Sequence, residues 1–258
     1  MSLTRLALRF AAPAPKVESF ERYLFVGPHP DDIEIGAGAT AAKLAAAGKQ
    51  VCFLICTDGR YGLEHAPEGT TPEQLIELRK AEAMASAKAL GVEDVRFLGF
   101  SDGGFYSFDE LVRGAARAVG DFEPEIIFAP DPDVPSECHV DHRRVGEAAK
   151  RLAFFAPYGE IMARYGAQSA DVKALAFYMT AKPNRFVKTS RGLWMRQLAA
   201  ILCHRTQFSS DMAADFRSIV LYLALRSVGF GLRSLRGWAE GFRVLGRTHM
   251  HCLPEAGR

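Results

Sequence analysis

Two short segments of this chain hold the residue types that do hydrolytic chemistry: His29-Pro30-Asp31-Asp32 and His139-Val140-Asp141-His142. In the first, His29 and Asp32 stand three apart. A turn at Pro30-Asp31 brings both to one point, as two metal ligands must converge, and leaves Asp31 pointing elsewhere. Pro28 and Pro30 fix φ at their own positions and bias Gly27 and His29 toward extended backbone, a rigid way to present a side chain. The second segment adds two imidazoles and one carboxylate within four positions. Two imidazoles and a carboxylate, with a fourth position left to water, form a common catalytic zinc shell. We assign His29, Asp32 and His142 as metal ligands and Asp31 as the general base toward the metal's water. His139 stays near the metal but off it, to stabilise an oxyanion or protonate a leaving nitrogen, and Asp141 orients His139 or His142 from behind. The plain reading of either segment alone is a strand-end histidine with aspartates capping the next helix. The two together, each following a strand, favour the metal.

The elements that must carry these segments follow a strand–helix rhythm. The apolar run Tyr23–Gly27 predicts a buried strand before a helix over Glu34–Ala47. Val51–Thr57 and Val95–Phe100 predict further strands. A loop opening at Asp58-Gly59-Arg60-Tyr61-Gly62 leads to a helix with Thr71 as cap, Pro72 in its first turn and an end at Gly91. Ser107 caps the next helix, which ends near Gly120. Glu125–Ala129 is a fourth strand, then Pro130, Pro132 and Pro135 force a loop. A helix follows over Asp141–Phe155. Strands alternating with helices predict an α/β fold: a Rossmann-like, mostly parallel sheet flanked by helices. In such a sheet the loops after strands one and four emerge at one edge, so a gap of about 110 residues does not keep the two segments apart. Ala174–Met179 and Phe186–Lys188 predict strands, and Arg191–His204 and Asp211–Arg226 helices, as a C-terminal elaboration. No linker interrupts the chain, which reads as one domain over 1–258 with a core of about 20–245.

Composition narrows the function classes. The 258 residues are 48% hydrophobic and 24% charged, as in ordinary globular proteins. A net charge of +2 argues against nucleic acid as a partner. Five cysteines without a CxxC pair predict buried free thiols and a reducing, cytoplasmic compartment. Cys52 and Cys56 share a strand face with Leu54. No signal-peptide core stands in Met1–Lys16, and no uncharged stretch is long enough to span a membrane. Ile219–Leu235 is apolar but punctuated by Arg226 and Arg233, with Arg217 and Arg236 beside it. We expect a helix packed on the sheet with its arginines outward. The competing reading is a surface for peripheral contact with an anionic membrane or a lipid-linked sugar. A homo-oligomer is also left open, tied to no segment.

At the two metal segments the sequence resembles the PIG-L/LmbE-like family of zinc-dependent N-deacetylases. Pro28-His29-Pro30-Asp31-Asp32-Ile33-Glu34 matches the family's first motif, followed by Gly36-Ala37-Gly38-Ala39-Thr40. His139-Val140-Asp141-His142 matches its His-x-Asp-His. Thr57-Asp58-Gly59, Arg79-Lys80-Ala81-Glu82, Ser101-Asp102-Gly103, Lys182-Pro183-Asn184, His204-Arg205-Thr206-Gln207 and Ala239-Glu240-Gly241-Phe242 are similar to weaker family patterns, so the likeness covers roughly residues 20–245. It implies a Rossmann-like sheet with a zinc centre that hydrolyses an acetamide, usually on N-acetylglucosamine. It also implies zinc on His29, Asp32 and His142, Asp31 as base, His139 on the oxyanion, and Arg79 in contact with the substrate or its anchoring carboxylates. Ala39, Gln197 and Lys188 depart from the family pattern outside the metal shell.

Further candidates are weighed singly. Arg79 and Glu82 form an i, i+3 helix pair, read either as a surface ion pair or as substrate contact. Arg60 and Tyr61 are read as sugar or phosphate contacts or as a solvated loop. Asp102 is read as a turn residue or a pocket wall. His204 predicts a buried, hydrogen-bonded histidine, and His249 and His251 are incidental. The expected activity is metal-dependent removal of acetyl from an N-acetylated amino sugar, with Zn2+ or another divalent cation as cofactor and a small amino-sugar substrate. The alternatives are a zinc amidase acting on a larger acyl group and a non-catalytic nucleotide- or sugar-binding module. Gly36-Ala37-Gly38 lacks the spacing of a dinucleotide site.

Overall fold

The computed structural model describes residues 7, 8, 10–208, 213–251 and 253. Part of the N-terminal lead-in (residues 1–6 and 9) and Asp211, the expected start of a helix, lie outside them. Seven strands form a single sheet: β1 (Arg22–Gly27), β2 (Gln50–Thr57), β3 (Asp94–Phe100), β4 (Ile126–Pro130), β5 (Ala174–Tyr178), β6 (Arg185–Lys188) and β7 (Ala239–Gly246). Their order is β3-β2-β1-β4-β5-β7-β6. The pairs β1–β2, β2–β3, β1–β4 and β4–β5 are parallel, and β7 runs antiparallel to both β5 and β6. The chain therefore leaves β1 in one direction toward β2 and β3 and later returns to its other side with β4 and β5. The gap between β1 and β4 is the switch point at which open α/β sheets bind ligands.

The expected fold class holds, with helices on both faces: α1 (Asp32–Ala46), α2 (Pro72–Leu90), α3 (Phe108–Phe122), α4 (Val140–Phe155), α5 (Gly159–Arg164), α6 (Arg191–Ile201) and α7 (Ala213–Arg233). The period-two alternation of β1 sorts its side chains. Tyr23 and Phe25 point to the α1 face with Phe53 and Phe128. Leu24 and Val26 point to the α3–α4 face with Cys52, Leu54, Cys56, Leu111 and Val145. The Phe25 and Phe128 rings stack with centroids 4.2 Å apart, tying β1 to β4 beneath the switch point. Thr71 caps α2 in a full capping box with Gln74 and has Pro72 behind it, and Ser107 does the same for α3 with Glu110.

The C-terminal part departs from expectation. β7 was not expected from periodicity, because Glu240 and Arg243 interrupt its apolar pattern. Both are buried and satisfied internally: Glu240 accepts from the backbone N–H of Ala39 and Thr40, and Arg243 pairs with Asp131. The Glu240 bonds also account for the break in α1 at Ala37, whose φ of −151° frees those amides from the helix ladder. At Gly36 a Cβ would lie 2.2 Å from the Tyr178 ring, so only glycine lets α1 start this close to β5. Helix α6 ends at Ile201 rather than His204, and α7 continues past Arg226 to Arg233. The expectation of outward arginines on α7 holds for Arg217 and Arg233, which are exposed, and is corrected for Arg226. Arg226 turns in, donating to the Thr180 carbonyl and covering the Phe230 ring, while Leu221, Leu225 and Leu232 are exposed. Among the described residues no helix is long and apolar enough to cross a membrane.

Candidate metal centre

The site is built on two segments at the carboxyl ends of β1 and β4. The first is the four-residue turn, residues 28–31, between β1 and α1. Thr57 anchors it, donating to the Pro28 carbonyl through its backbone N–H (2.9 Å) and its hydroxyl (2.8 Å). Asp31 then takes φ 126°, a conformation rare for any residue with a Cβ, at the N-cap position where α1 begins. This twist separates the two carboxylates. Asp32 turns toward His29, accepting from its backbone N–H at 2.9 Å and lying 3.0 Å from Nδ1. Asp31 turns the other way, to Arg79.

The second segment is the proline-rich loop from Asp131 to His139, which runs into α4. The Asp131 carboxylate is buried and accepts from Thr180 and Arg243, fixing the loop's base. At its far end His142 Nε2 lies 3.3 Å from Asp32 Oδ1. The Asp32 carboxylate thus sits between two imidazoles whose ring centroids are 5.4 Å apart, and donor atoms of His29, Asp32 and His142 all lie within 4.8 Å of one another.

The outward nitrogen of each imidazole meets a carboxylate. His29 Nε2 lies 3.0 Å from Asp141 Oδ2, and His142 Nδ1 lies 3.1 Å from Glu137 Oε2. Metal-binding histidines are held in this way, their distal N–H on a carboxylate and their inner nitrogen aimed at the ion. The donor set His29, Asp32 and His142 therefore fits a divalent cation such as zinc. A second cluster, His29, His139 and Asp141, is also close enough to hold an ion. Its carboxylate is already committed, because Asp141 accepts from the amides of Gly103 (2.7 Å) and Gly104 (2.8 Å) and from the Tyr106 hydroxyl (2.9 Å) as well as facing His29.

The electrostatics agree with the geometry. Burial disfavours a charged His29, yet hydrogen bonds to Asp141 and Asp32 override it and push its pKa up to about 10. Burial also works against the Asp32 carboxylate, but His142 and His29 hold it well below the usual range. The Asp141 and Asp32 carboxylates thus favour positive charge at His29, which a bound cation would supply in place of the imidazole's proton. Asp31 differs. Burial pushes its pKa up to about 6, with the Arg79 guanidinium opposing. His139, half exposed, is lowered by burial and by the charges of His29 and His142. Its Nδ1 accepts from the backbone N–H of Asp141 at 3.3 Å, which places the proton of the neutral ring on Nε2, free to donate outward.

Several expectations are revised. Asp141 orients neither His139 nor His142 by its carboxylate, which sits on His29 and stands 3.8 Å from His139 Nδ1. Arg79 and Glu82 are not a surface pair. Arg79 is 4% exposed and donates to Asp31 (3.1 Å), to the Pro30 carbonyl (2.8 Å) and to the Gly59 carbonyl (3.2 Å), while Glu82 accepts from Thr206. Arg79 so holds the Asp31 carboxylate, the second of the two contacts that the resemblance implies. A Cβ at Gly59, where φ is +69°, would stand 2.2 Å from Arg79 Nη1, so glycine is needed there on both counts. Arg60 pairs with Asp58 and Tyr61 is exposed. Asp102 is buried and accepts from the Tyr61 amide. His204 is buried against Glu34, as expected. Glu137 and Tyr106 were missed. Glu137 gave one signal, a carboxylate five residues before a candidate ligand in a loop stiffened by proline. Tyr106 gave none, since only the fold brings it to Asp141.

Comparison with known proteins places this geometry in a family. The family profile described as PIG-L, GlcNAc-PI de-N-acetylase, matches residues 24–153, which include both segments of the site. The chain is 31% identical to a diacetylchitobiose deacetylase of Thermococcus kodakarensis over 264 residues, an alignment that covers 98% of this chain and 93% of that protein. It is 39% identical over 127 residues to a 1D-myo-inositol 2-acetamido-2-deoxy-alpha-D-glucopyranoside deacetylase of Kineococcus radiotolerans, covering 47% of this chain and 35% of that one. The solved structure of N,N'-diacetylchitobiose deacetylase from Pyrococcus horikoshii, complexed with an inhibitor, superposes with a TM-score of 0.85 at 27% identity over 98% of this chain and 97% of that chain. By sequence match, by sheet and by the segments that carry its candidate ligands, this chain belongs to the PIG-L family of de-N-acetylases.

Proposed function

We propose that this protein is a zinc-dependent hydrolase that removes the acetyl group from an N-acetylated amino sugar. The observation that carries the reading is the convergence of His29, Asp32 and His142 on one point, with a separate, mostly buried carboxylate, Asp31, beside it. Family membership supports the reaction class, and the relatives named above are deacetylases of N-acetylglucosamine-type compounds.

His29, Asp32 and His142 would hold the cation. When bound, it would acidify water and polarise the acetamide carbonyl. The protein's own groups then divide the proton work. Asp31, with a pKa of about 6, is ionised at neutral pH yet basic enough to accept a proton from the attacking water. His139 Nε2–H donates a hydrogen bond to the oxygen on which negative charge develops. As the C–N bond breaks, the proton held by Asp31 passes to the departing amine. Arg79 keeps Asp31 aimed and ionised, and Asp141 and Glu137 hold the two imidazoles in register. The free thiols of Cys52 and Cys56, buried in the core, support a cytoplasmic setting.

The test is acetate release from N-acetylglucosamine and di-N-acetylchitobiose by the purified protein, before and after a chelator and then with zinc restored. Release that the chelator abolishes and zinc restores is the expected result. Release indifferent to the chelator removes the metal role, and release of larger acids in preference to acetate moves the reading to a broader amidase.

A further inference from the structure

Two aromatic side chains stand in solvent on the loops that flank this site. Tyr61, in the loop after β2, is 57% exposed, and Phe105, in the turn after β3, is 73% exposed. Their rings meet edge to face, with centroids 5.8 Å apart and planes at 76°. Large exposed aromatics are costly, and a fixed exposed pair on the loops beside a candidate site marks a contact surface.

The pair is tied to the metal centre by a short chain of bonds. The Tyr61 amide donates to the buried Asp102 carboxylate at 3.4 Å. The next two residues, Gly103 and Gly104, donate to Asp141, which faces His29. The Phe105 ring folds back over Gly103, where an added Cβ would stand 3.0 Å from the ring. Gly104 packs against Val140, the neighbour of His139, and its carbonyl is held by Arg144 at 2.7 Å. The platform is therefore fixed relative to His29 and His139 and lies on the β2–β3 side of the switch point. Beside it, the Arg60 guanidinium is held by Asp58, its Nε 3.0 Å from Oδ2, so hydrogen-bonding groups border the apolar rings.

We propose that Tyr61 and Phe105 form the subsite for the group attached to the reacting amino sugar, and that this group is a second pyranose ring with equatorial substituents. Such a ring offers a flat face of axial C–H bonds to an aromatic ring and a rim of hydroxyls to Arg60 and Asp58. A lipid tail would leave that ion pair unmatched. The inference rests on the amino-sugar reading of the neighbouring centre and narrows it to oligosaccharides.

Calorimetric titration separates the two. Asp31→Asn protein loaded with zinc serves as the host, so that ligand is not consumed. Di-N-acetylchitobiose should bind more tightly than N-acetylglucosamine, and adding Phe105→Ala or Tyr61→Ala should weaken the disaccharide about tenfold while the monosaccharide changes little. Phe105→Trp should restore the disaccharide affinity. Equal loss for both sugars, no loss for either, or a loss seen with an octyl N-acetylglucosaminide but not with the disaccharide would each overturn the platform. Disaccharide binding that depends on Phe105, in a wild-type protein that releases no acetate, would keep the platform and sink the deacetylase reading instead.

Discussion

The two segments that meet at the metal centre are built in opposite ways. The turn after β1 is buried and held from below by backbone and by one guanidinium: Thr57 on Pro28, and Arg79 on Pro30 and Asp31. The loop after β4 is buried only at its base. There Arg243 and Thr180 grip Asp131, while Pro135, Ser136, Cys138 and His139 face solvent. In the proposed mechanism the first segment would supply the base and two of the three candidate ligands, groups that must not move as protons shift. The second would supply one candidate ligand and the hydrogen-bond donor to the oxyanion, groups that must admit a substrate. Rigidity follows the charge that has to be held, and exposure follows the traffic.

If the buried turn holds the proton-transfer group, its loss should be the most damaging change in the molecule. Asp31→Asn keeps the size of the side chain and, by its amide, the contact to the Pro30–Arg79 floor, but cannot accept a proton. Turnover should fall by about 10²–10⁴, with zinc content by mass spectrometry unchanged. Activity near that of the wild type would place the base elsewhere.

Arg79→Met tests the floor of the same turn. With Asp31 as the base, catalysis would need it ionised, so kcat/KM should fall as pH drops through about 6. Burial raises the Asp31 pKa and Arg79 opposes that rise. Removing the guanidinium leaves burial uncompensated, so the acid limb of the pH profile should move upward, by about one to three units. Activity should then be low at neutral pH and recover partly in alkaline buffer. A profile that drops in height without shifting would show Arg79 to be only a structural support.

The same contrast explains what was legible in the sequence. The buried turn announced itself, because His29, Asp31 and Asp32 are contiguous and flanked by prolines and an apolar strand. The parallel strands β1 to β4 were equally plain as apolar runs. Arg79 was not, since its helix position alone suggested solvent and only the fold of the loop around Gly59 brings it under Asp31. β7 was hidden by Glu240 and Arg243, polar residues made tolerable by partners some 200 and 110 positions away. Asp141 was assigned the right neighbourhood and the wrong partner. Spacing within one helix turn pointed to His139 or His142, whereas the sheet sets its carboxylate against His29, on the other segment.

Glu137 offers the finest test, because it carries the exposed segment's ligand almost alone. Its Oε2 lies 3.1 Å from His142 Nδ1 and its Oε1 accepts from the His139 amide at 2.8 Å. On the buried side, the corresponding carboxylate of Asp141 is locked by two amides and a hydroxyl besides His29. In Glu137→Gln only one carbonyl oxygen remains to serve both donors, so either His142 loses its acceptor or the loop loses its tie at His139. The substitution creates no cavity, so the fold should persist. Zinc affinity, read by competition with a chromogenic chelator, should weaken about tenfold, within the range found when groups behind a metal ligand are changed. Excess zinc should then return most of the lost turnover, since Asp31 and Arg79 are untouched. Unchanged affinity would mean that Asp32 and the start of α4 suffice to aim His142. The loop's contribution would then be confined to His139, and the division between a rigid segment and an adjustable one would have to be redrawn through α4.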